Sequence, residues 1–235
     1  MAQDRTLYFE KKEELNFFIH SLSTLYAMND NQTSPYTFFL AENIKKRQRY
    51  IFEDFLVILK SNSFIMIYNL VESTIKNSVI FMYDEINRHN IRYLDAKDEI
   101  KKIWFNYHFK DNVSSVDKLK TVSQELIDDI ISEKNISLDF EQFKLSGNAD
   151  WHVIKKAMLE HGLDVNSNKT NSHASSMRTV KDKRNSLAHG SESFIDSAKD
   201  FSESDIRRIA QDTFTILEYV MDEVDKYVEK EKYKI

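Results

Sequence analysis

Arg184 and His189, five positions apart, set the chemical question. Histidine changes charge near neutral pH, so one released from packing is a candidate acid or base. His189 is followed by Gly190, and glycine commonly ends helices because it tolerates left-handed backbone. At such an end the last carbonyls favour the imidazolium form, which suits proton transfer. On a continuing helix the two side chains would diverge by about 140°, so the stop at Gly190 is what lets the histidine swing. Asn185 lies four residues before His189 and is placed to hydrogen-bond it. The alternative is a capping histidine; His161-Gly162 repeats the arrangement with no chemistry attached.

Arg184 is anomalous for a second reason. Met177, Val180, Arg184 and Leu187 fall on one helical face, so the arginine occupies a core-facing phase. Ile65, Tyr68, Glu72, Ile75, Val79, Met82 and Ile86 make another apolar stripe, with Glu72 in its middle. An unpaired charge in either place would cost several kcal/mol on burial, so each needs a partner or a hydrated cleft. The economical expectation is that they face one another, Glu72 orienting Arg184. The competing one is a snorkelling arginine and a glutamate at its stripe's edge.

The elements that must position these groups are helical. Only three glycines and one proline occur in 235 residues, too few for the turns of a sheet protein. Helical spacing predicts a first helix over 6–28, a loop over 29–37 around Pro35, and a second helix to about Lys60. Ser61-Asn62-Ser63 is expected to cap a third, from Phe64 to about His89. Shorter helices are expected at 95–109 and 115–133, a loop over 134–150, and a short helix from Asp150 to His161. Residues 163–174 are the most disorder-prone stretch. A helix over 175–189 and a loop over 190–201 precede the last helix, which Ser202 and Asp205 would cap. The tail after Lys226 alternates charge and is expected to be solvated.

With no cysteine, disulfides and thiolate chemistry are excluded and a reducing, cytoplasmic setting is the default. No apolar run approaches the ~20 residues needed to span a bilayer, so no membrane association is expected. His20, His89, His108, His152, His161 and His173 lack metal-ligand spacing, and no glycine-rich phosphate loop is present; no metal or cofactor is expected. The net charge of −5 counts against a surface that grips nucleic acid everywhere, though one local cationic pocket is compatible with it. Lys181, Lys183 and Arg178 could rim such a pocket around Arg184, or simply lie on a solvated face. Trp104, Phe105, Tyr107 and Phe109 read as packing rather than a base-stacking platform.

The run Arg184-Asn185-Ser186-Leu187-Ala188-His189-Gly190 resembles the signature of the HEPN superfamily: an arginine, often followed by asparagine, with a histidine four to six residues on. Its position before the last long helix also resembles that superfamily. Ile58-Leu59-Lys60-Ser61-Asn62-Ser63, Tyr68-Asn69-Leu70-Val71-Glu72-Ser73-Thr74 and Gly147-Asn148-Ala149-Asp150 are similar to the MAE-type HEPN branch. The resemblance implies an all-α HEPN-type bundle over 55–225, with an N-terminal helical extension (1–50), an inserted short helix and a charged tail (226–235). It further implies a metal-independent endoribonuclease, active as a homodimer that joins two arginine–histidine motifs. Carried over, Arg184 would hold the scissile phosphate and His189 would act as general base or acid toward the ribose 2′-hydroxyl. Asn185 would position either one and Glu72 would support the site. The implied product is a 2′,3′-cyclic phosphate, with DNA spared for lack of the hydroxyl.

Three functions follow as expectations. One is a ribonuclease acting in conflict or stress, as a toxin with an antitoxin or as an antiviral effector with a defence-system partner. Another is a non-catalytic HEPN module that binds nucleotide, RNA or a protein. The last is a structural protein in which Arg184 and Glu72 form an internal ion pair.

Overall fold

The computed structural model describes residues 2–30, 52–110, 115–143, 145 and 148–235. Among them lie eight α-helices and no β-strand beyond two isolated bridges, as the all-α expectation required. They are α1 (Thr6–Asp30), α2 (Phe52–Arg88), α3 (Asp98–Lys110), α4 (Val116–Ile131), α5 (Trp151–Glu160), α6 (Asn168–Ala188), α7 (Phe194–Ala198) and α8 (Glu203–Glu229). The expected loop at Pro35, the first part of the expected second helix, and Gly147 lie outside the described residues.

The expected break at Ser61-Asn62-Ser63 does not occur; α2 runs through it. Ser61 Oγ lies 3.1 Å from the Val57 carbonyl oxygen and Asn62 Nδ2 donates to the Ile58 carbonyl at 2.8 Å. Both side chains thus satisfy themselves on the preceding turn instead of capping a new one. The helix packs against α1, α6, α7 and α8, and α8 packs in turn against α1 and α6. Tyr68, Ile75, Val79, Met82 and Ile86 of α2 are fully buried, as are Ile206, Leu217, Val220 and Val224 of α8. Each such side chain contributes about 1.5–3 kcal/mol through burial. By length and composition α2 could cross a bilayer, but half of its most apolar window is buried inside the fold.

The N-terminal segment is built into this core. Tyr8, Leu15, Ile19 and Leu22 are buried. Gln3 donates its backbone N–H to Asp225 and its side-chain amide to the Met221 carbonyl, both at 2.8 Å, and Arg5 pairs with Asp222 and Asp225.

Three further expectations are corrected. The loop expected over 190–201 contains α7, which Ser193 caps by accepting the Asp196 N–H. The stretch expected to be disorder-prone contains the start of α6: Ser167 accepts a hydrogen bond from the Thr170 N–H and caps it. The tail is anchored rather than solvated. Tyr233 is fully buried, its carbonyl accepts from the Lys97 N–H at 2.8 Å, and the Ile235 N–H donates to the Asp95 carbonyl at 3.0 Å. The surrounding Lys230, Glu231, Lys232 and Lys234 dominate the sequence pattern, while the one aromatic among them faces the core. The capping box on α8 is present as expected.

α5 and α6 end on the same turn. The N–H of Gly162 donates to the Leu159 carbonyl and that of Leu163 to Met158; Gly190 and Ser191 repeat the pattern on Leu187 and Ser186. Both glycines sit at positive φ, +77° and +67°, where a Cβ would be strained. His161 precedes the first of these turns and is buried. Its Nδ1 lies 2.7 Å from the Ala157 carbonyl and its Nε2 lies 2.8 Å from the Tyr83 hydroxyl. The two contacts suit a neutral ring that donates from Nδ1 and accepts at Nε2.

Burial holds the His161 imidazole below its ordinary pKa of 6.5. As pH falls the unfolded chain takes up that proton first, so the stability His161 contributes is complete above about pH 6.5 and is lost below it. The melting temperature of the intact chain should therefore drop between pH 7.5 and 5.5, and His161→Gln should flatten the drop. Equal slopes for the two proteins would show that His161 does not couple to folding.

Candidate active site

Arg184 lies one turn before the end of α6, and the core-facing phase inferred from its spacing is observed: Met177 and Val180 are buried on the same face. Its guanidinium is half-buried and lies over the Tyr68 ring, with Cζ 4.4 Å from the ring centroid. That distance is a cation–π contact. Nη1 also donates to Asn185 Oδ1 at 3.1 Å. Asn185 Nδ2 in turn donates to Asn148 Oδ1 at 2.7 Å.

The expected Arg184–Glu72 ion pair is not made; among the described residues no carboxylate oxygen lies within 4.0 Å of the Arg184 guanidinium. The two residues meet instead at opposite parts of one tyrosine. Arg184 takes the Tyr68 ring face, while Glu72 follows Tyr68 by one turn of α2 and its charge helps to raise the hydroxyl's pKa. That hydroxyl also accepts the Ala149 N–H at 3.2 Å. Burial pushes the Tyr68 pKa upward; the Ala149 N–H and the Arg184 charge oppose the rise and Glu72 adds to it. The internal ion pair that the structural-protein expectation invoked is therefore not made.

The segment 148–151 is pinned to α6 at three levels. Asn148 bonds Asn185, Asp150 lies 3.5 Å from Lys181 Nζ, and Trp151 Nε1 donates to Asn171 Oδ1 at 3.1 Å. Asp150 also caps α5 by accepting the Val153 N–H at 3.0 Å. Asn148 and Tyr68 are site residues that chemical type and spacing did not single out. The available signal was Tyr68 one turn before Glu72 on the same stripe, an aromatic hydroxyl among aliphatic side chains.

His189 caps the C-terminus of α6, its backbone N–H donating to the Asn185 carbonyl at 2.9 Å. Its imidazole is exposed and makes no hydrogen bond or ion pair among the described residues. The expected Asn185–His189 side-chain bond is therefore absent, because the Asn185 amide is taken by Arg184 and Asn148. Of the two readings of Arg178, Lys181 and Lys183, a cationic rim or a solvated face, the rim is countered by carboxylates. Arg178 lies 3.8 Å from Asp182, Lys181 lies 2.9 Å from Asp182, and Lys183 lies 3.0 Å from Glu192. Of the aromatic cluster, Trp104 is buried while Phe105 is exposed and packs on Phe109. Among the described residues no group of three histidines or carboxylates is placed to hold a metal ion.

Tyr68→Phe keeps the ring beneath Arg184 but removes the acceptor of the buried Ala149 N–H, which should cost about 1–3 kcal/mol in denaturant unfolding. Tyr68→Leu removes the cation–π contact as well and should cost more. A Phe variant as stable as the parent would mean the hydroxyl holds nothing.

No curated protein and no solved structure matches the chain. A family model does, the one described as MAE_28990-like HEPN, over residues 10–233. The match begins inside α1, takes in α2 and the Arg184–His189 run, and reaches the anchored tail. With nearly the whole bundle covered, the chain belongs to the MAE_28990-like HEPN family.

Proposed function

We propose that this HEPN module is a metal-independent endoribonuclease whose active form is a homodimer. The observation that supports it is the contrast between the two signature residues. Arg184 is held in one orientation by the Tyr68 ring and Asn185, while His189, one turn on, is exposed and has no partner among the described residues. A held guanidinium suits stabilising charge on a phosphoryl group. A free imidazole suits moving a proton.

In this proposal two copies meet along the ends of α6. One His189 takes the proton from the 2′-hydroxyl as that oxygen attacks phosphorus. The second copy's His189, protonated beforehand, gives a proton to the departing 5′-oxygen. The P–O5′ bond breaks, leaving a 2′,3′-cyclic phosphate and a 5′-hydroxyl. Arg184 neutralises the charge that builds on the non-bridging oxygens. Glu72 acts through Tyr68, whose ring sets the plane of the guanidinium.

Purified protein incubated with labelled RNA in EDTA should yield 2′,3′-cyclic phosphate ends and leave the matching DNA intact. His189→Ala should lower the rate roughly 10²–10⁴-fold. Arg184→Ala should lower it by about 10²–10³-fold. The His189 variant should melt like the parent, because the side chain is exposed. RNA left whole across varied substrates would sink the enzymatic proposal.

One observation favours a second reading, a non-catalytic module that binds nucleotide, RNA or a protein. Arg178, Lys181 and Lys183 are all engaged by carboxylates, so the surface around Arg184 is less cationic than its sequence suggests. That reading is distinguished by binding that survives His189→Ala.

A further inference from the structure

Glu72 belongs to two faces of α2. One is the buried stripe with Tyr68 and Ile75; the other, with Asn69 and Lys76, lines an open groove of about 700 Å³. Lys11 of α1, Ser73, Leu145 and the rings of Phe140 and Phe143 complete its walls. The two rings pack at 5.8 Å, tilted by 44°, and Lys76 Nζ lies 5.4 Å from the Phe140 centroid. Both rings are only partly buried. Unlike Arg178, Lys181 and Lys183, neither Lys11 nor Lys76 is in an ion pair among the described residues.

We propose that this groove holds one nucleotide of a single-stranded RNA beside the scissile phosphate, a proposal that rests on the endoribonuclease reading above. Three features select that occupant. Partly exposed phenyl rings offer a stacking surface that accepts any base. Two ammonium groups outside any ion pair among the described residues attract a phosphate in a chain whose net charge is −5. The Asn69 amide can both donate to and accept from a base edge. The Glu72 carboxylate fixes the direction, since it repels phosphate from its own end and leaves the phosphate to Lys11 and Lys76. Because Glu72 lies one turn after Tyr68 on α2, the groove adjoins the residue that holds Arg184. The cationic surface for RNA is thus supplied by α1 and the outer face of α2, not by the lysines of α6.

Calorimetric titration of the full chain with adenosine 5′-monophosphate tests this directly. The parent should bind it, and should bind ribose 5-phosphate at least about fivefold more weakly because the stacking is lost. Lys11→Glu with Lys76→Glu should weaken the mononucleotide at least about tenfold in a chain that circular dichroism shows still folded. In RNA cleavage the same double variant should raise KM and spare kcat, and the mononucleotide should inhibit competitively. Arg184→Ala should abolish cleavage and leave mononucleotide binding in place. No detectable binding, equal binding of ribose 5-phosphate, or binding that does not compete with RNA would overturn the groove assignment even if cleavage is observed. Binding with the expected losses in a chain that never cuts RNA would sustain the groove and remove only the nuclease reading.

Discussion

A guanidinium carried on an apolar helical stripe has to be held by something, and here the holder is an aromatic face. The stack of Arg184 on Tyr68 spans the contact between α6 and α2, and much of the remaining arrangement follows from it. A cation over a ring keeps its in-plane N–H groups directed sideways, where a carboxylate partner would compete with any incoming anion. A contact of this kind contributes about 0.5–2 kcal/mol, depending on how far it is desolvated. That is modest beside the strength of a charged hydrogen bond; what the ring supplies is orientation.

The remaining polar contacts near Arg184 keep that geometry in place. Asn185 turns from the helix end toward the guanidinium and toward Asn148, and Tyr68 returns its hydroxyl to the backbone of the same 148–150 segment. Neutral amides and a phenol carry these links, while carboxylates are directed at Lys181, Lys183 and Arg178. Charge is compensated along the middle of α6, whereas Lys11 and Lys76, beside Glu72, are outside any ion pair among the described residues.

Much of this was legible in the sequence because helices advertise their buried faces. The stripes of α2 and α8, the capping box at Ser202 and the glycine stops at 162 and 190 all rest on local rules, and all are present. What failed depends on partners distant in the chain. Ser61 and Asn62 read as a cap because their back-bonding to the preceding turn cannot be told from capping by residue type. Tyr233 was hidden by the charges around it. The Arg184–Glu72 pair was inferred from opposite charge on facing stripes, but helix packing interposed Tyr68 and put Glu72 one contact further away. Most instructive are the two His-Gly ends. Their backbone turns are the same, yet His161 is enclosed by Tyr83 and Phe143 while His189 faces solvent. The local code specifies the turn, and only packing decides which imidazole meets water.

The unbroken path of α2 has a consequence for how this chain can change in length. Lys60 and Ser61 are tied to the carbonyls of Phe201 and Phe194; Tyr68 follows about two turns later on the same rod and Glu72 about three. Removing or adding one residue between those anchors would rotate everything beyond it by about 100°, carrying the ring out from under the guanidinium and aliphatic side chains into water. Single-residue indels are therefore barred from positions 61–68, where substitutions remain open. Variation in length has to fall in connectors that join helices without setting the phase of either.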